Sequence, residues 1–461
     1  MNTYQIDFKK PVHTHFIGIG GISMSGLAEI LLNEGFTVSG SDSKESALTQ
    51  HLEKKGATIF IGQKASNIIE GIDVVVYTAA IRPTNEEFQA AVATGIPMLT
   101  RADLLGQLMK NYDMPVAIAG THGKTTTTSM LTHILLAGEM DPTISVGGIL
   151  KAINGNIKVG NSPYFVTEAC EYTNSFLSFF PKISVILNID ADHLDFFKDL
   201  EDIRRSFRLF ADLLPEDGYL IINGETDRLA EFTEGLKCNV VTFGDNTDCD
   251  YSIANIAHDE NGATSFDLYK GKDYVDRIQL SVTGDHNAMN AAAAIAVADI
   301  LEVSVDVMKK GLLEFHGTDR RFQLKGTFNG VTVIDDYAHH PTEIKATLTS
   351  AKNYPHREVW CIFQPHTYTR TKSLFSEFVE ALTHTDHVIM APIYAARETD
   401  TLGVSSEQIA EELKKLGVDA YCPGDFKAIE DFCKEVCQKG DLLITMGAGD
   451  VVNIGETLIE A

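Results

Sequence analysis

Short apolar runs along this chain are each followed by a glycine-rich or polar stretch and then by a helical repeat. The first run, Thr14–Ile19, reads as a buried strand. It passes into Gly18-Ile19-Gly20-Gly21-Ile22-Ser23-Met24-Ser25-Gly26 and then the apolar helix Leu27–Leu32. Thr37–Gly40 is a second strand with Asp42 just beyond it. Val74–Tyr77 is a third, ending in the polar loop Thr78-Ala79-Ala80-Ile81 and Asn85. Pro97–Thr100 precedes a helix from about Ala102 to Lys110, and Asn111–Pro115 has the composition of a linker.

The rhythm continues. Val116–Ala119 leads into Gly120-Thr121-His122-Gly123-Lys124-Thr125 and the helix Thr126–Leu136. Tyr164–Thr167 ends in Glu168, with Glu171 close behind. Val185–Ile189 ends in Asp190, Asp192, His193 and Asp195. Asp285–Asn290 opens the alanine-rich helix Ala291–Ala298, where one of the asparagines is expected to cap the start. Strands follow at Val331–Ile334, Val359–Phe363, Val388–Ala391 and Leu442–Met446, most with a helix after them. Alternating strands and helices predict parallel, doubly wound α/β sheets, whose ligands bind beyond the C-terminal ends of the strands.

With 461 residues the chain has material for about three domains. A formal net charge of -26 argues against general nucleic-acid binding but leaves room for a small anion in a local pocket. The 7 cysteines are scattered with no CxxC pair; Cys433 and Cys437 alone make weak metal evidence, and reduced thiols fit a cytoplasmic protein. Met1–Lys10 is polar, and the apolar helices are too short to span a bilayer, so no membrane insertion is expected. Oligomeric state leaves no mark on the sequence, and a homodimer stays open.

Gly120–Thr125 carries the strongest chemistry. Gly120 and Gly123 let backbone N–H groups turn onto phosphates, Lys124 supplies a point charge, and Thr125 opens a helix where its hydroxyl can meet Mg²⁺. The turn is tighter than the usual phosphate loop, with Ile118 where the first glycine would fall, yet strand, Gly-Lys-Thr and helix stand in the required order. ATP is the expected ligand. Glu168 and His193, at two strand ends in the same stretch as the loop, are expected to hold metal with Thr125. Gly18, Gly20 and Gly21 resemble a dinucleotide turn, with Ser23 in place of the third glycine and Asp42 near the ribose-binding position. The reading is either a phosphate or sugar-nucleotide site or tight strand–helix packing. In the last third, Arg320 or Arg321 could reach phosphate. Asp335–Pro341, Gln364–Thr371, Pro392–Glu398 (which includes Arg397) and Gly447–Asp450 place polar groups at strand ends.

Together Gly120–Thr128, Glu168–Tyr172, Asp192-His193, Asp285–Asn290 and Asp335–Pro341 resemble the Mur ligases, ATP-dependent amino-acid ligases of cell-wall precursor synthesis, over nearly the whole chain. Gly18–Gly26 with His366–Arg370 points to the alanine-adding branch. The resemblance implies a three-domain α/β architecture: a Rossmann-like UDP-sugar domain at 1–110, a central P-loop ATPase-like domain at 111–320, and a Rossmann-like amino-acid domain at 321–461. It implies UDP-N-acetylmuramate, L-alanine and ATP with Mg²⁺ as reactants, joined through an acyl phosphate. Gly18, Gly20, Gly21, Ser23 and Asp42 would then bind the UDP-sugar. Gly120, Thr121, His122, Gly123, Lys124, Thr125, Thr126, Asn290, Arg320 and Asp336 would bind ATP. Lys124, His193, Asn287 and Arg320 would be catalytic, and His339, His366 and Arg370 would lie on the amino-acid side. Several relatives carry a carboxylated lysine after the metal histidine; none is expected here, because no lysine occurs between Asp199 and Ala230. The ligase that reattaches a recycled tripeptide to the same sugar nucleotide would share most of these motifs.

Overall fold

The structure is a computed structural model describing residues 4–460 apart from Ala79, Asp195, Arg397 and Thr401. The expectations for Ala79, Asp195 and Arg397 therefore lie outside the described residues. The chain divides into two compact units, residues 1–251 with 293–311, and residues 252–292 with 312–461.

The first unit opens with five parallel strands, β1 (His13–Ile17), β2 (Thr37–Asp42), β3 (Thr58–Ile61), β4 (Val74–Tyr77) and β5 (Met98–Thr100), in the order β3-β2-β1-β4-β5. Alternation sends Phe16, Val38, Val74 and Val76 into one core with Met24, Leu27 and Leu31 of the helix Ile22–Asn33. Ile17 and Val75 face Ala91 and Phe88 of the helix Glu86–Thr94 on the other side. β1 is shorter than the sequence suggests because Gly18 leaves the strand with a φ of +88°.

The expected linker Asn111–Pro115 is mostly structured. β6 (Met114–Ala119) already begins at Met114. Asn111 donates to the Ile6 carbonyl and accepts from the Phe8 N–H, which pins the N-terminal segment. Further strands are β7 (Thr143–Leu150), β8 (Gly155–Lys158), β9 (Tyr164–Glu168), β10 (Ile183–Ile186), β11 (Tyr219–Asn223) and β12 (Asn239–Gly244). Within this unit they run β12-β11-β10-β6-β9-β7-β8. β6 lies at the centre, parallel to β9 on one side and β10 on the other. β10 ends at Ile186, earlier than expected, because Asn188 turns away to hold the neighbouring loop.

Gly106, inside the helix Arg101–Met109, is explained by contact. A Cβ there would lie 1.9 Å from the Ser178 carbonyl oxygen. Gly106→Ala is expected to destabilise the protein by about 1–3 kcal/mol through overpacking. A lowered melting temperature in a thermal scan checks this; an unchanged one contradicts the packing described.

The second unit contains β13 (Tyr251–His258), β14 (Thr264–Lys270) and β15 (Asp273–Gln279), the last two antiparallel; their turns and polar faces left no distinct sequence signal. It ends in a sheet of β16 (Gln323–Phe328), β17 (Val331–Asp336), β18 (Val359–Phe363), β19 (His387–Met390), β20 (Asp419–Tyr421) and β21 (Leu442–Met446), ordered β16-β17-β21-β18-β19-β20. All pairs are parallel except β16 with β17. Among the described residues no helix is long and apolar enough to cross a membrane.

Candidate active site

The expected site residues fall into separate clusters, each built inside its own unit. In the first, the loop after β6 is shaped by its glycines. Gly120 has a φ of +144°, and a Cβ there would lie 2.9 Å from the Leu187 Cβ. Gly123, at φ +85°, caps the helix Lys124–Ala137, whose first turn carries Thr125 and Thr126. A clasp from the segment after β10 fixes the turn. The Thr121 N–H donates to the Asn188 carbonyl (3.1 Å), the His122 N–H to Asn188 Oδ1 (2.8 Å), and Asn188 Nδ2 returns a bond to the His122 carbonyl (3.0 Å). The Asp190 N–H donates to Thr121 Oγ1 (2.9 Å), and His122 Nε2 lies 3.2 Å from Asp190 Oδ2.

Lys124 folds back over this loop. Its ammonium donates to the Gly120 and Thr121 carbonyls (2.5 and 3.1 Å) and to Glu171 Oε2 (3.0 Å). Burial works against the charged form, but the Glu171 charge and hydrogen bond, with Cys170 and Glu168 adding to them, hold the ammonium above its usual range. Glu171, buried, also faces His193, with 3.7 Å between Oε1 and Nε2. His193 takes a φ of +54°, donates its N–H to Asp192 Oδ1 (2.6 Å) and packs its ring 4.6 Å from that of Tyr172. Lys124, Glu171 and His193 therefore form one cluster, in which Glu171 is the residue that sequence reasoning left without a role.

Glu168 ends β9, level with Ile118 of β6, and Oε1 accepts the Gly147 N–H at 2.6 Å. A Cβ on Gly147 would lie 2.7 Å from Glu168 Oε2, and one on Gly148 3.3 Å from Thr125 Cγ2. This glycine pair in β7 leaves room beside both groups. A double glycine inside a strand pattern is the signal that could have found it. Among the described residues no three His, Cys, Asp or Glu side chains converge as a ready metal cage. The oxygen donors Thr125 and Glu168 suit a hard ion that keeps waters and phosphate oxygens as its other ligands.

In the first sheet, Gly20 donates its N–H to Asp42 Oδ2 (2.9 Å), so Asp42 stands against the glycine turn. Gly18 is tight against Thr78, and Gly21 precedes the helix carrying exposed Ser23 with no side-chain cap.

The second unit brings together most of the later residues. Arg320, at φ +62°, donates from Nε to buried Asp335 (3.0 Å) and from Nη2 to the Gly447 carbonyl (2.7 Å), with its guanidinium 4.9 Å from the Tyr337 ring centre. His339 Nδ1 lies 3.0 Å from the Tyr337 carbonyl. The His339 and His366 rings are 6.1 Å apart, and His366 stacks on Tyr394 at 5.5 Å. Burial, then the Arg370 charge, pushes His366 below its ordinary value. Tyr394 joins this group unforeseen, through the bridge between His366 and Tyr394.

Asn287 and Asn290 lie in the helix Asp285–Ile300. The expected asparagine cap is absent: Asn287 Nδ2 donates to the Thr283 carbonyl (2.7 Å) and Asn290 Nδ2 to Asn287 Oδ1 (3.2 Å), so both amides act as donors within the first turns.

Asp336 is a buried pin, accepting the Phe322 and Ala338 N–H groups at 2.8 and 2.7 Å. Burial pushes it up to about 6, against the pull of Arg321. The folded state therefore holds this proton more tightly than the unfolded chain. The resulting stabilisation is full below about pH 4 and lost as pH rises through about 6. Asp336→Asn cannot titrate, so the stability advantage of the native side chain should shrink by roughly 1–3 kcal/mol between those limits. Melting curves across that range check it; a constant difference contradicts it.

A phosphate loop set between acidic strand ends, in a chain of parallel α/β sheets, defines a nucleotide-using enzyme. Family models place it further. The Mur ligase family catalytic domain matches residues 13–113, the Mur ligase middle domain 118–298, and the Mur ligase glutamate ligase domain 320–449. This chain belongs to the Mur ligase family and has its three-domain architecture, with Rossmann-like first and last domains. It is 58% identical to the UDP-N-acetylmuramate–L-alanine ligase of Lachnospira eligens, over 99% of this chain and 100% of that one. Among solved structures it is similar to the UDP-N-acetylmuramate–alanine ligase of Thermotoga maritima, with 29% identity, a TM-score of 0.79, and 97% and 98% of the two chains covered. The murein peptide ligase of Psychrobacter arcticus follows, at 26% identity, a TM-score of 0.67 and the same coverage.

Proposed function

We propose that this protein joins L-alanine to the lactyl carboxylate of UDP-N-acetylmuramate at the expense of ATP, giving UDP-N-acetylmuramoyl-L-alanine, ADP and phosphate, in the cytoplasm as a step of peptidoglycan precursor synthesis. The observation that carries the chemistry is the cluster of Lys124, Glu171 and His193 around the loop after β6, beside Glu168. The alanine assignment is supported by the 58% identity to an alanine-adding relative along the full chain. In this reading residues 1–110 take the UDP-sugar through Gly18, Gly20, Gly21, Ser23 and Asp42, residues 111–320 take ATP, and residues 321–461 take the amino acid.

A carboxylate resists nucleophiles because of its charge. A lactyl oxygen attacks the γ-phosphorus, the bond to ADP breaks, and the acyl carbon gains a phosphate leaving group. The amine of L-alanine then displaces that phosphate and loses a proton. Lys124 leaves Glu171 for the phosphates and offsets the charge that develops on the transferring group. Thr125, Glu168 and His193 would hold Mg²⁺, which when bound supplies further charge neutralisation at the phosphates. His339, His366 and Arg370 are assigned to the amino-acid side.

Competition between L-alanine and the L-alanyl-γ-D-glutamyl-diaminopimelate tripeptide for limiting UDP-N-acetylmuramate tests the substrate. The alanine product should dominate by mass; a dominant tripeptide product would move the protein to the recycling reaction.

A further inference from the structure

The first sheet carries a buried polar chain that the proposed chemistry does not use. His15 of β1 stands opposite Ser39 of β2, and Ile17 opposite Ser41. Alternation puts His15, Ser39 and Ser41 on the face covered by the helix Glu86–Thr94, which contributes Glu87 from its first turn. Glu87 Oε1 lies 2.7 Å from His15 Nε2, and Glu87 Oε2 accepts the Ser41 hydroxyl at 2.6 Å. His15 Nδ1 lies 2.8 Å from Ser39 Oγ, which in turn lies 2.7 Å from His13 Nε2. His15, Glu87 and Ser41 are completely buried.

With Glu87 as a carboxylate, one arrangement of protons serves every contact among these side chains. His15 Nε2–H and the Ser41 hydroxyl donate to Glu87, the Ser39 hydroxyl donates to His15 Nδ1, and His13 Nε2–H donates to Ser39. Burial, then the neighbouring His15, pushes His13 below its ordinary value, while a hydrogen bond to the Gly71 backbone works the other way. The Asn85 side chain caps this helix by accepting the Glu87 N–H at 3.0 Å, which fixes Glu87 in the first turn. Even so, a fully buried carboxylate costs several kcal/mol of desolvation, and apolar side chains would fill this face more cheaply.

What the chain supports lies at its Ser41 end. The Ser41 carbonyl accepts both the Gly18 and the Ile19 N–H groups, at 2.8 and 2.9 Å, and the adjacent Asp42 carboxylate accepts the Gly20 N–H. Three successive N–H groups of the glycine turn thus hang on the end of β2, and the side chain of Ser41 anchors that end to Glu87. We infer that the buried chain from His13 through Ser39, His15 and Glu87 to Ser41 is a positioning device for the glycine turn Gly18–Gly21, setting the affinity for the sugar nucleotide without touching the reacting atoms. This rests on the assignment of that turn to UDP-N-acetylmuramate.

Ser41→Ala removes one hydroxyl and keeps the carbonyl. Glu87→Ala removes the hub. Glu87→Gln can reproduce both contacts, its oxygen accepting from His15 and its amide donating to Ser41. In the full-length protein, Ser41→Ala and Glu87→Ala should raise the KM for UDP-N-acetylmuramate, and its Kd by calorimetry, by roughly tenfold. The kcat at saturating sugar nucleotide should stay within about twofold and the KM for ATP should not move. Glu87→Gln should recover most of the affinity. A folded Ser41→Ala protein with native affinity for the sugar nucleotide overturns the inference. So does a Glu87→Gln protein as weak as Glu87→Ala, or a parallel rise in both KM values. If the unaltered protein gives no binding heat with UDP-N-acetylmuramate, the substrate assignment itself falls, and this is told apart because no substitution is involved.

Discussion

Lys124→Ala should lower ATP-dependent amide formation by on the order of 10³-fold or more, because in the proposed mechanism this side chain supplies the charge that follows the phosphoryl group. Its present partners show why the result needs a companion variant. Lys124 is the near partner of buried Glu171, whose other neighbour in the cluster, His193, is 3.7 Å away. Removing the ammonium leaves a buried carboxylate poorly compensated, so the variant should also melt at a lower temperature. The double variant Lys124→Ala with Glu171→Gln removes that stray charge. It should regain thermal stability and stay inactive. Recovery of activity along with stability would mean that Lys124 serves the fold and not the phosphates.

Glu168→Gln is the second large effect. The amide keeps an oxygen for the Gly147 N–H, so the end of β9 should hold its place while the charge is lost. Turnover should fall on the order of 10²-fold, and the Mg²⁺ concentration for half-maximal rate should rise, because the proposed metal site would lose its anionic protein ligand. A variant with native Mg²⁺ dependence would remove Glu168 from the metal site. Gly147 and Gly148 set a limit on any substitute here, since a Cβ on Gly147 would lie 2.7 Å from the carboxylate.

Much of this arrangement was legible before the structure. Val116–Ala119 followed by Gly-Lys-Thr and a helical repeat can form little else than strand, loop and helix, and β6 with the helix Lys124–Ala137 follows that pattern. Buried parallel strands such as Val74–Tyr77, Val359–Phe363 and Leu442–Met446 are apolar runs, broken only by Thr445, and their ends agree with the sequence reading to the residue. What stayed hidden depends on contacts between distant segments. Nothing local marks Asn188 as the clasp of the loop, or Glu171 as the partner of Lys124. Nothing local gives the serines of β2 a role until His15 and Glu87 are brought beside them. The antiparallel pair β14 and β15 has one polar face and a turn flanked by Tyr269 and Tyr274, too mixed for a simple periodicity argument.

The central claim is that phosphoryl transfer from ATP here is committed to an amide of L-alanine. Phosphate release with ATP, Mg²⁺ and UDP-N-acetylmuramate, measured without amine and with each standard L-amino acid in turn, tests it most directly. The account predicts strong release with L-alanine, matched by UDP-N-acetylmuramoyl-L-alanine in the mass spectrum. Release that no amine stimulates would contradict it.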